Sequence, residues 1–524
     1  MVLNNLPVLI KETSCYVSPE QAKDESYLEQ IIVHKLRLNN SNSLQYKWHK
    51  RSIDARKKNI RILCTFHIYF ENDAPPKNYE PKFKPLDTKK EVHIIGLGPA
   101  GIFAALSALE QGMKPIVYER GKAVKERIKD IGKLNRKGIV NGNSNYCYGE
   151  GGAGTYSDGK LYTRSKKRGA VRKVLETFVY FGANEDILVE AHPHIGTNKL
   201  PRIVSAMSDK IIEMGGEIHF DHLLTDLEIK NDRIHSITLN KGKKITVNNV
   251  VLATGHSARD IFELLHKRGV HIQAKPFALG VRVEHRQEFI DKAQYHGRVN
   301  DDYVPPASYR LVTQAENKGV YSFCMCPGGI IAPCATSAGE VVTNGWSPSK
   351  RNNPYANSGI VVSIEPEDLE NPKDPFCGIK FQKKIEQKAW ELAGENQKVP
   401  AQRLEDFINR KKSTDFPRSS YQPGITSIEM DDVFPEFITR RLRNAFKDFN
   451  KKVPGFITNE AVIHAPESRT SSPILIPRNK ENYQHINIKN LYPCAEGAGY
   501  AGGIVSAAID GINCIQALYQ EIER

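Results

Sequence analysis

Three glycines at fixed spacing, Gly96, Gly98 and Gly101, sit where the apolar run "EVHII" (91–95) gives way to "PAGIFAALSALEQG" (99–112), whose apolar residues recur at helical spacing. A strand–turn–helix of this kind has a defined chemistry. Gly96 permits the tight turn, Gly98 lets backbone approach a pyrophosphate, and Gly101 lets helix and strand pack closely. The helix start, with Pro99 and Ala100, offers unpaired N–H groups and partial positive charge to phosphate. A second strand, "KPIVYER" (114–120), ends at Glu119, with Arg120 beside it. A carboxylate there is placed to accept both ribose hydroxyls of an adenosine. Strand, helix and strand form a βαβ unit, and the context predicts a dinucleotide site.

Further candidates lie far along the chain. "YGEGGAGTYSDGKLYTR" (148–164) holds Gly152, Ser157 and Lys160, glycines for backbone held near a ligand and donors for a phosphate or ring. Arg127, on the helical run after Glu119, could reach the pyrophosphate; for Arg127 and Lys160 a solvated surface role is the alternative. "VVLATGH" (250–256) is a buried strand running into Thr254 and Gly255. "CAEGAGYAGGIVSAAIDG" (494–511) is nearly all small side chains before a helix. It suits either a helix packed hard on a sheet or a helix start lying against a large flat ligand. Gly511 in mid-helix costs roughly 1 kcal/mol relative to Ala, which close packing would explain.

Acid–base chemistry has weaker candidates. His192 and His194 in "HPHIGTN" titrate near neutral pH, and we take His194 as the catalytic candidate; a buried structural or capping role is the alternative. Arg469 in "ESRTSS" (467–472), two residues after Glu467, could clamp a substrate carboxylate bidentately; an interdomain ion pair is the alternative. "CMCPGGIIAPC" holds Cys324, Cys326 and Cys334 without a fourth nearby ligand, so no metal is expected. Ordinary strand cysteines are the default there, and a ligand-facing thiol the alternative.

Several elements must position these residues. Residues 1–75 read as a small α+β unit: a strand at "LPVLI", a helix over 19–36 and a strand over 60–70. A Pro- and Lys-rich linker covers 76–90. The dinucleotide domain runs over 91–266, with a helix at 198–214 and a strand plus three-stranded meander before "VVLATGH". Residues 267–480 show no single period and read as an inserted α+β substrate domain, and 481–524 return to the first domain. The chain has 524 residues and net charge +14, with basic clusters at 49–61, 82–90 and 164–173. Such charge permits anionic ligands without naming one. No stretch reaches the roughly 18 apolar residues of a membrane span. Nine scattered cysteines and the absence of a secretory signal fit a reducing cytoplasm.

Together, "GLGPAG", "YER", "GEGGAGTYSDGKL", "HPHIGTNKL", "VVLATGHSARD", "KPFALGVRVEH", "FCMCPGGII", "PESRTSSPI" and "CAEGAGYAGG" resemble a family of bacterial FAD-dependent dehydrogenase-like proteins. The layout of meander, "ATG" and late glycine-rich helix is similar to that of the glutathione-reductase-like flavoproteins. This resemblance implies FAD on a Rossmann-like α/β fold. It implies that the late helix aims its N-terminus at the flavin pyrimidine ring, with Gly497, Gly502, Gly503 and Ile504 against the ring edge and ribityl chain. It places Glu496 on a ribityl hydroxyl, where relatives usually carry Asp. The expectation is an FAD-dependent oxidoreductase acting on a small-molecule substrate the sequence does not name. No dedicated NAD(P)H domain is read: reduced nicotinamide would dock transiently, or the electrons would come from the substrate itself. Rival readings are an RNA-acting flavoprotein, disfavoured because no aromatic-interleaved motif appears, an FAD-binding sensor or scaffold, and an NAD-dependent dehydrogenase.

Overall fold

A computed structural model describes residues 11–37, 44–70, 79–163, 169–240, 242–299 and 302–524. The strand expected at "LPVLI" lies outside them.

The dinucleotide region is built on a five-stranded sheet in the order Leu491–Pro493, Val250–Leu252, Asp87–Ile95, Met113–Tyr118, Glu217–His219. All four pairings are parallel. Its central strands read as continuous apolar runs because both faces are covered. One face packs on the helices Pro99–Glu110, Leu200–Glu213 and Ile504–Ile522. The other packs on the helix Arg259–Lys267 and on the antiparallel meander Leu224–Lys230, Arg233–Leu239, Lys243–Thr246. The fold is therefore the expected α/β class with a parallel central sheet. The first strand begins at Asp87, inside the stretch read as linker: its leading residues are charged and exposed, yet Asp87 pairs with Met113.

Residues without a clear period form a seven-stranded, mostly antiparallel sheet in the order Val312–Ala315, Lys318–Cys326, Tyr355–Ile364, Phe277–Arg286, Val462–Glu467, Val399–Arg403, Ile425–Ser427. The amphipathic helices Cys377–Leu392 and Glu436–Lys452 lie on it, and their apolar faces close the largest core of the molecule. The chain passes between the two sheets twice, and the two passages pair antiparallel at Gln273–Ala274 and Ile474–Leu475.

The N-terminal unit is a three-stranded antiparallel sheet, Lys11–Val17, Arg61–Phe70, Leu44–Asp54, with the helix Glu25–Leu36 on one face. Its strand Leu44–Asp54 is absent from the sequence reading. Its polar and basic composition hides the strand signal, although Tyr46 and Trp48 alternate onto the core face against Phe66.

Candidate functional site: a cavity at the ends of the parallel strands

The order in which the chain adds strands to the parallel sheet reverses between Asp87–Ile95 and Val250–Leu252, on either side of which later strands are laid down. A crevice opens at such a switch point, beyond the carboxyl ends of the strands. Here it is a cavity of about 440 Å³ whose wall takes a segment from the end of each central strand: Gly96–Ala100, Glu119–Arg120, Ala253–Ala258 and Ala495–Glu496. The helices Pro99–Glu110 and Ile504–Ile522 start at this wall. Each has a glycine N-cap, no side-chain cap and no acidic residue in its first turn, so neither positive helix end is neutralised locally.

The glycines divide into two sets. A Cβ on Gly101 would lie 1.9 Å from Gly96 O, one on Gly511 2.2 Å from Ala100 O, and one on Gly497 2.7 Å from Gly255 O. These three are consumed by packing: strand against helix, helix against helix, loop against loop. Gly98 differs, because a Cβ there would meet only the Gly152 Cα, at 3.9 Å. Its missing side chain leaves room in the cavity rather than room for the protein.

Glu119 is buried and its carboxylate is already engaged. Oε1 accepts from the N–H of Gly121 and of Gly149, each at 2.9 Å, and Oε2 accepts from Leu97 N–H at 2.8 Å. Oε2 alone keeps a free lone pair, so the carboxylate can take one ribose hydroxyl rather than the expected two. Arg120 donates to Asp260 and Asn143 and lies 4.2 Å over the Tyr148 ring, while its buried Nε has no partner.

Across the cavity stand Lys160, Phe323, Cys324, Asn344 and Arg469, while His256 lies on the near wall just past Val250–Leu252. Lys160 Nζ donates to Met325 O and lies 3.9 Å from Cys324 Sγ and 3.8 Å from Cys326 Sγ, with Asp158 at 3.6 Å. Burial works against the ammonium, but Cys324, Cys326 and Asp158 together raise its pKa. A hydrogen bond shared with Cys326 lowers the Cys324 thiol, and the charges of Lys160 and Arg282 carry it, against burial, to about 5. Behind this wall the fully buried Arg282 binds Glu467 through Nε at 2.7 Å and also holds Asn357, Asn344 and the Cys324 carbonyl. His256 is pushed down to about 4 by burial and by Arg469 and Arg259, so it is neutral at physiological pH.

A relative from Clostridium beijerinckii, itself described as uncharacterized, is 38% identical over 520 residues, 95% of this chain and 97% of its own. This chain belongs to that protein's family. Residues 276–470, which include the whole seven-stranded sheet, match the family described as "FAD-dependent protein, C-terminal domain-like", and residues 9–69 match a domain of unknown function, DUF8436. Solved structures similar to the chain include a geranylgeranyl bacteriochlorophyll reductase-like protein of Thermoplasma acidophilum, at 13% identity over 83% of this chain and 78% of that one, TM-score 0.35. Glycine oxidase of Bacillus cereus aligns at 13% identity over 83% and 96%, TM-score 0.30. Likenesses this distant carry no argument about activity. The domain match over residues 276–470 supports FAD as the cofactor.

Of the residues singled out from sequence, the family's cavity brings together Gly96, Gly98, Pro99, Ala100, Glu119, Arg120, Gly152, Ser157, Lys160, Thr254, Gly255, Glu496, Gly502, Gly503, Ile504 and Arg469. Four assignments change. Arg127 does not reach the cavity: it is fully buried and donates to the carbonyls of Asn145, Tyr146, Glu150 and Gly152, clamping the glycine-rich loop from behind. Gly497 acts by packing rather than against a ligand, as above, whereas Gly101 packs helix on strand in the role read for it. His194 lines a separate cavity of about 400 Å³ with His192, Arg51 and Arg351, and its Nε2 lies 3.2 Å from Ser349 O. Burial and Arg351 push its pKa down to about 4. Arg469 borders the main cavity, but its guanidinium is taken up by Glu386, Glu340 and Thr336. Its bidentate face is spent inside the protein, on partners within the same inserted region rather than across a domain boundary. Glu467 pairs with Arg282.

The sequence reading missed His256, Tyr148, Asn344 and Phe323, and gave Cys324 the lesser role. His256 directly follows the "ATG" run already assigned to the cavity and was recoverable. Phe323 and Asn344 carry no local signal: Phe323 reaches the cavity through its place in the seven-stranded sheet, and Asn344 through a separate two-stranded pair, Ile330–Pro333 with Thr343–Trp346, set against that sheet.

Proposed function

We propose that this chain is an FAD-dependent oxidoreductase that moves hydride equivalents to or from a small organic substrate. The single observation carrying this reading is the room at Gly98 and the two uncapped helix starts, which converge on one cavity at the switch point. The residues fit the cofactor: the Gly96–Ala100 turn suits a pyrophosphate, Glu119 Oε2 a ribose hydroxyl, and the unpartnered Arg120 Nε the adenylate end. Glu496, with Gly502, Gly503 and Ile504, suits the ribityl chain and pyrimidine edge. When bound, FAD supplies two-electron chemistry.

The protein's own contribution lies mostly on the opposite wall. Lys160 offers positive charge to an anionic substrate group, and Asn344, held by Arg282, offers an orienting amide. His256, neutral and partly open to the cavity, is the group best placed to exchange a proton with the substrate. Phe323 narrows the space available to water. NAD(P)H docks, on this reading, as a transient donor. Placement among the glutathione-reductase-like flavoproteins rests on the meander and late-helix layout, and a cytoplasmic setting on the unpaired cysteines. Among the described residues no helix is long and apolar enough to cross a membrane.

Purified protein should be yellow and release FAD on denaturation, and Gly98→Val should lower FAD occupancy at least tenfold without unfolding the chain. Colourless protein that takes up no FAD on reconstitution overturns the proposal. Anaerobic reduction by NADH or NADPH identifies the donor, and His256→Gln should then lower turnover while leaving FAD bound.

A further inference from the structure

We propose that Glu12, His49 and His67 form a surface site for a divalent transition-metal ion of the zinc type, on the N-terminal unit and independent of the flavin reading. The three residues come from the three neighbouring strands of that sheet. Glu12 and His67 face one another in register. The ladder between Leu44–Asp54 and Arg61–Phe70 slips between Trp48 and Lys50, leaving His49 as the extra residue. A bulge of this kind re-aims a side chain. Trp48 turns to the core against Phe66, while the His49 ring stacks on His67 on the opposite face, centroids 3.9 Å apart.

Glu12 Oε2 then lies 3.5 Å from His67 Nε2 and 4.0 Å from His49 Nε2. One ligand atom from each residue falls within 4.8 Å of the other two. Ligands held tetrahedrally at about 2.0–2.1 Å from zinc are about 3.3–3.5 Å apart. The ligand atoms are thus near coordinating distance, and closing the site requires the stacked imidazoles to tilt apart so that both in-plane Nε2 lone pairs converge. Glu12 and His49 are exposed and free to move. Burial and the neighbouring His67 lower the His49 pKa, favouring the neutral, ligating imidazole; Glu12 opposes this shift, while Arg172 and Lys50 add to it and would oppose a cation. Two imidazole nitrogens and one carboxylate select zinc, cobalt or nickel over magnesium or calcium. Three protein ligands leave a position open for water or a further ligand.

The test uses the full chain, stripped by chelator and titrated with Co²⁺ by absorbance and Zn²⁺ by calorimetry. One equivalent should bind, giving d–d bands without intense thiolate charge transfer. His49→Gln and His67→Gln should each weaken binding at least tenfold, Glu12→Gln less, and affinity should fall as pH drops below about 6.5, where imidazoles protonate. Metal-free melting temperatures confirm that the variants fold. Absence of stoichiometric uptake, uptake retained in the double histidine variant, or a thiolate spectrum, which would put the ion on cysteines such as the buried Cys494–Asp510–Cys514 group, overturns the proposal.

Discussion

Where the parallel sheet faces the main cavity, the wall is main chain: glycine turns, two open helix starts and a carboxylate held by three amides. Across from it, the seven-stranded sheet presents side chains held by buried charge. Arg282 and Glu467 form one network, and Arg469 and Arg259 with Glu386 and Glu340 form another. A main-chain wall recognises what every dinucleotide shares, phosphate and ribose, and tolerates little change in local geometry. A charged wall holds a few groups at chosen positions over a long span of sequence. Its buried ions contribute little net stability, yet each is costly to leave without its partner.

The largest test of that contrast removes one ion. Arg282→Met leaves Glu467 buried and unpaired and should destabilise the protein by about 3–5 kcal/mol in chemical denaturation; a loss below 1 kcal/mol would show that the charged wall is not held this way. The main-chain wall is tested by paired glycines. Gly101→Ala or Gly511→Ala forces a Cβ against a carbonyl and should cost about 1–3 kcal/mol through overpacking. Gly98→Ala should change stability by less than about 1 kcal/mol while weakening FAD retention. Equal stability losses at all three positions would erase the distinction between packing and ligand glycines.

A smaller effect concerns Cys324. With its thiol lowered to about 5, it should be the fastest cysteine to alkylate at pH 6–7, as read by mass mapping, and Lys160→Met should slow it severalfold. A pH-dependent effect concerns Glu496. Burial raises its carboxyl from 4.5 to about 7, against the opposing charge of Lys275. The folded state therefore holds this proton more tightly than the unfolded chain, so stability should increase as pH falls from about 7 to 4.5. Glu496→Gln should remove that part of the pH dependence.

The same contrast separates what was legible from what was not. The βαβ unit, the meander and the late helix could be read because strand, turn and helix signals lie within a few residues of one another. Gly96, Gly98 and Glu119 came with them. Arg127 was misread because a basic residue near a phosphate motif looks alike whether it faces the ligand or holds the loop behind it; four carbonyl partners decide the matter. His194 was misread for a similar reason: a histidine between two ordered stretches gives no sign of which cavity it faces. Gly497 and Gly502 belong to one small-residue run, yet one contacts neighbouring backbone and the other the cavity.

By itself, the sequence determined the parallel α/β frame and the position of its dinucleotide turn, because those features rest on hydrophobic period and backbone conformation, which are local. Only the tertiary structure decided which glycines face a ligand, which arginines are spent on buried carboxylates, and that Cys324, Lys160 and His256 share one space. Those outcomes depend on sheet register and on contacts between residues far apart in the chain, and a linear pattern carries no distances.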